Sequence, residues 1–162
     1  MNDLPELLQQ FYDDKLSELL RHQAGARLIG QYDANNTYQY IINREETQLS
    51  WVGSAIVAMG GSVSGSTSAT EPRTGGDRTS AARTIFDEEA RSAQAFVDRW
   101  RPRVEAMTNA RHRGMLRVIL GETLEQKRFF EQALAGDVDL LGRRGDQTGE
   151  RVGEVLPERW IE

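Results

Sequence analysis

Three glutamates occupy positions that a helix would turn toward its apolar neighbours. Glu45 lies between Ile41 and Ile42 on one side and Leu49 and Val52 on the other, Glu122 follows Val118 and Ile119 and precedes Phe129, and Glu89 lies between Ile85 and Phe96. Neighbours at three- and four-residue intervals share one helix face, so all three acids are expected to point inward. A buried carboxylate is costly unless it is paired, protonated or bound to a cation. Three that converge would suit one or two divalent cations held through oxygen, with the amides Gln48 and Gln126, and also Glu125, one turn further along.

Four helices would have to carry these residues. Leu4, Leu7, Leu8, Phe11, Leu16, Leu19 and Leu20 form a stripe that predicts a helix from 4 to about 29. Gly30 supplies a stop, and Asp33-Ala34-Asn35-Asn36 a choice of N-caps for a second helix reaching about Gly60. From Gly60 to about Ser80 glycine, serine and threonine dominate, the make-up of a flexible connection. A third helix follows with Ile85, Phe86, Phe96, Val97 and Trp100 on one face, and Pro102 is expected to kink or end it. The fourth should span about 109 to 135, with Met115, Val118, Ile119, Phe129 and Phe130 inward. The fold expected is all-α, an up-down four-helix bundle with one long crossover between helices 2 and 3, covering residues 1 to 136, and a C-terminal extension over 137 to 162.

An internal repeat supports this arrangement. Sliding the chain by 77 residues places Glu45 on Glu122 and Tyr12 on Glu89, and sets Leu8, Leu19 and Leu20 on Ile85, Phe96 and Val97. Tyr38, Ile41, Ile42 and Val52 fall likewise on Met115, Val118, Ile119 and Phe129. The chain reads as two copies of one helical hairpin.

On these residues the sequence resembles the ferritin-like di-metal proteins, the rubrerythrins and bacterioferritins among them. Those take a Glu from each of the first and third helices and a Glu followed by a His from each of the second and fourth. The resemblance covers about residues 4 to 136 and implies iron or manganese bound by Glu45, Glu89, Glu122, Gln48 and Gln126, with redox or metal handling as the activity. Both histidine positions here carry amides, Gln48 and Gln126, and the first-helix acid position is Tyr12, with Asp13 and Asp14 beside it but turned partly off the apolar face. An amide oxygen can ligate a hard cation but substitutes poorly for imidazole on a late transition metal. The alternative is a metal-free bundle, a scaffold or association module in which the acids are tied to Tyr12, the glutamines and buried arginines or water.

Two histidines remain. His112 stands ten residues from Glu122, roughly 15 Å along a helix, and His22 is equally far from Tyr12. Both are expected to be structural histidines at a helix end or partly buried.

Composition narrows the remaining classes. The 162 residues suffice for one domain, and 38% hydrophobic with 28% charged residues is ordinary for a globular protein. No cysteine is present, which excludes disulfides, thiolate nucleophiles and zinc-thiolate sites. No secretory signal is read at Met1 to Glu6, nor any apolar run near the eighteen residues that span a bilayer, so the expected location is cytoplasmic with no membrane partner. A net charge of −5 argues against nonspecific nucleic-acid binding. The arginines at 101, 103, 111 and 113 read as a solvated surface, Trp51 and Trp100 as core or interface.

The tail carries Val155, Leu156, Trp160 and Ile161, more apolar surface than a disordered end usually holds. It is expected to pack on its own bundle or dock on a partner subunit, and the protein to form a homo-oligomer, dimer or larger. Three function classes stay open: a metal-dependent oxidase or iron handler, a noncatalytic association bundle, and a bundle that binds an apolar ligand.

Overall fold

The computed structural model describes residues 4 to 63, 77 to 137 and 140 to 141. Four helices form over the stretches where the apolar spacing places them: α1 (Leu4–Ala26), α2 (Tyr32–Ala58), α3 (Arg78–Glu105) and α4 (Ala110–Leu134). The all-α four-helix bundle expected from the sequence is the architecture found. Most of the connection around 60 to 80 and most of the C-terminal extension, including the tail expected to pack on the bundle or a partner, lie outside the described residues.

Local chemistry sets the helix ends. Three side chains cap the free N–H groups of a first turn: Gln31 accepts from Ala34 N, Asp77 from Ser80 N and Asn109 from His112 N. Asp33, Asn35 and Asn36, expected as caps, lie inside α2 instead and are buried. The helix begins earlier because the Gln31 amide reaches the Ala34 N–H at 2.6 Å. Gly60 and Gly136 take φ of 83° and 89° just past α2 and α4, a conformation in which a side chain would be strained. Pro102 does not end α3, which runs on to Glu105.

Contacts fix how the helices run. Along α1 from Gln10 to His22 the partners on α3 run backward from Arg103 to Glu89, so the two are antiparallel. The same reversal relates α1 to α2, where Lys15 meets Glu45 and Gly25 meets Tyr38, and α2 to α4, where Tyr40 meets Phe129 and Gln48 meets Glu122. Helices α2 and α3 therefore run parallel, and residues 59 to 77 join opposite ends of the bundle. Extended, that stretch would reach roughly 60 Å against about 40 Å for α2, so the crossover is long enough.

The interior consists of two apolar halves. One gathers Tyr38, Ile41, Ile42, Ile85, Phe86 and Phe130, and Leu140 packs with it. The other gathers Leu8, Phe11, Phe96, Trp100, Leu116 and Ile119. Between them lies a band of charge.

Interior rows correct the sequence register on α4. Buried residues step along α2 as Tyr38, Ile41, Glu45, Gln48 and Val52, and along α4 as Leu116, Ile119, Thr123, Gln126 and Phe130. The two rows are related by 78 residues, not 77, which places Thr123 opposite Glu45 and pairs Gln48 with Gln126. Glu122 and Val118, each one residue earlier, turn about 100° away from that row. Val118 is accordingly 50% exposed, against the expectation of a core position.

Candidate functional site

The centre of the bundle holds an ion-pair cluster built on α1. Lys15, fully buried, points its ammonium at Glu45 Oε1 from 3.0 Å and at Thr123 Oγ1 from 3.2 Å. His22, two turns later on the same face, sits between two carboxylates: Nδ1 is 2.8 Å from Glu45 Oε2 and Nε2 is 2.7 Å from Glu89 Oε2. Arg21 closes the other side, 2.5 Å from Glu18 Oε2 and 3.4 Å from Glu89 Oε2, and also donates to Ser92. The cluster thus pairs Lys15, Arg21 and His22 with Glu18, Glu45 and Glu89, three cations with three anions.

Aromatic rings wall its inner part, while the Arg21 side chain remains 18% exposed. The Lys15 ammonium lies 5.1 Å from the centre of the Phe96 ring, and the His22 ring stacks on Phe130 with centroids 5.9 Å apart. In so dry a setting protonation follows the partners. Burial alone would strip the proton from His22, but Glu45 and then Glu89 outweigh it and raise the imidazole to about 10. Burial likewise disfavours the Glu45 carboxylate, yet His22 and Lys15 hold it down to about 2. Against the same opposition from burial, Glu89 is lowered by His22 and then Arg21. At neutral pH His22 is therefore an imidazolium with both ring nitrogens donating.

Glu45 and Glu89, expected to converge, are brought together, with His22 between them. Glu122 is not part of this group. Its carboxylate remains 24% exposed on the flank, 2.5 Å from Arg44 Nη2, and accepts a hydrogen bond from Gln48 Nε2. The cause is the one-residue offset on α4, which gives the inward place to Thr123. Gln48 and Gln126 are both buried, but Gln48 faces Glu122 and its Oε1 has no hydrogen-bond partner. Glu125 is largely exposed beside Arg128. Tyr12 is half-buried against both apolar halves and lines an open recess of about 710 Å³ between α1 and α2, with Leu16, Leu49, Gly53 and Val57.

His22 is structural, as expected, but it is fully buried and paired with two core acids, where partial burial was expected. It is a central member of the cluster, reached because the interior row of α1 runs Leu8, Phe11, Lys15, Glu18, His22 at alternating intervals of three and four. That row was visible in the sequence, but its charged members hid it. His112 stands half-buried in the first turn of α4.

Comparison with protein families, with curated proteins and with solved structures finds no match in any of the three.

The iron or manganese centre implied by the resemblance can be tested on this donor set. The Lys15 ammonium offers no lone pair to a metal, and Lys15 and His22 between them occupy three of the four oxygens of Glu45 and Glu89. The third expected carboxylate, Glu122, is engaged elsewhere. Among the described residues no group of three or more histidines, aspartates and glutamates is arranged to hold a metal ion. The residues present do not fit a di-metal centre.

Proposed function

We propose that this protein is a metal-free helical bundle that acts as a scaffold or association module, not through turnover at its core. The reading rests on one observation above the others: the Lys15 ammonium and the His22 imidazolium take up the carboxylates that a metal would need. Charge supports it, since the three acids are balanced within the chain and call for no further cation. Among the described residues no helix is long and apolar enough to cross a membrane. The association is proposed to be with further copies of the chain, as a dimer or larger.

Elemental analysis of freshly purified protein, run beside its mass in solution by light scattering, tests both halves. The reading expects iron and manganese far below one atom per chain and a mass of two or more chains. One or two metal atoms per chain, lost in a Glu45→Ala variant that still folds, would contradict it.

A further inference from the structure

Helix α1 places Lys15 at a point that a divalent cation could occupy. Its Nζ lies against one oxygen of Glu45 and the hydroxyl of Thr123, while the other oxygen of Glu45 is held in place by His22. That is the outline of an oxygen-lined cation site with an orienting outer partner already built. We propose that Lys15 is the built-in occupant of a latent site for one hard divalent cation, and that a carboxylate at position 15 opens that site. The inference rests on the reading of the core as metal-free and goes beyond it by assigning the place of the Lys15 ammonium to one hard divalent cation.

Geometry and charge both favour this. A glutamate side chain is one bond shorter than lysine, so its carboxylate oxygens fall near the position of the lysine Cε. A cation at the ordinary metal-oxygen distance of roughly 2.0–2.5 Å beyond them lies close to the present Nζ. There it would meet Glu45 Oε1 and Thr123 Oγ1, an all-oxygen set that suits a hard ion such as manganese and not a soft metal. Replacing Lys15 by glutamate also changes a cluster of three cations and three anions into two and four. One divalent ion restores neutrality, and the removal of that ion would leave two buried charges unbalanced. Met at the same position removes the ammonium but supplies no oxygen.

The test is refolding of the full chain from denaturant with and without manganese(II), followed by electron paramagnetic resonance of the free ion and by thermal melting. Four proteins are compared: wild type, Lys15→Glu, Lys15→Glu with Glu45→Gln, and Lys15→Met. Wild type should leave millimolar manganese free. Lys15→Glu should take up one ion per chain, roughly 100-fold or more tighter than wild type, and melt higher with it than without it. The Glu45→Gln addition should abolish most of that gain, and Lys15→Met should show no melting response. A Lys15→Glu chain that stays unfolded in excess manganese, or folds without taking the ion, overturns the inference. Uptake by wild type at one ion per chain overturns instead the metal-free reading on which it rests.

Discussion

Lys15 and Glu45 meet at 3.0 Å with neither side chain exposed, joining the middle of α1 to the middle of α2. Such a pair is expensive to break from one side, because the survivor is left as an uncompensated buried charge. We therefore expect Lys15→Met to lose about 3–5 kcal/mol of stability. In the double variant with Glu45→Gln the loss should be well short of additive, as read by urea denaturation of all four members of the cycle. Additive losses would show that the two groups are not coupled.

Glu45 and Glu122 look alike in the sequence and should behave differently. Glu122→Gln alters a half-open pair with Arg44 while keeping an acceptor for Gln48, so its cost should stay within about 1 kcal/mol. Glu45→Gln weakens the partner of two buried cations and should cost about 3 kcal/mol or more. Chemical denaturation of the two single variants checks the asymmetry, and equal losses would count against it.

The contrast marks how far the sequence could be read. Apolar spacing located all four helices, since hydrophobic burial at a 3.6-residue period is what makes them helices. The 77-residue offset carries α1 and α2 to within three residues of the ends of α3 and α4. Glu45 and Glu89 were legible because their flanking residues are apolar on both sides. Lys15, Glu18, Arg21 and His22 were not, because charged side chains on one amphipathic helix read as its wet face until partners on other helices are known. The helix register was the other limit: on α4 an error of one residue exchanges Thr123 for Glu122.

Stability should depend on pH in a direction set by this cluster. His22 is raised from 6.5 to about 10, so its contribution is complete below pH 6.5 and is lost as pH rises through 10. Glu45 is lowered from 4.5 to about 2, so its contribution is complete above pH 4.5 and is lost as pH falls through 2. Urea midpoints measured across the range should be highest between about pH 4.5 and 6.5 and decline on the alkaline side. A His22→Gln variant should flatten that alkaline decline; an unchanged decline would assign it to another group.

Gly25 and Tyr38 offer a separate packing test. A Cβ at Gly25 would meet the Tyr38 hydroxyl oxygen at 3.0 Å, and that hydroxyl is buried with no hydrogen-bond partner. Tyr38→Phe should therefore be neutral or mildly stabilising. In the Phe background Gly25→Ala should recover about 1 kcal/mol of helix propensity that the hydroxyl contact suppresses in the wild type. Thermal melts of the four proteins read the coupling, and its absence would mean the close approach is relieved elsewhere.

The central claim concerns what His22 is. A 15N NMR spectrum of the imidazole nitrogens at pH 7.5, with only two histidines to assign, reports the state of each nitrogen separately. Both His22 nitrogens should carry protons, and this signature should persist until pH nears 10. A neutral ring at pH 7.5, with one nitrogen unprotonated or bound to a metal, would contradict the account.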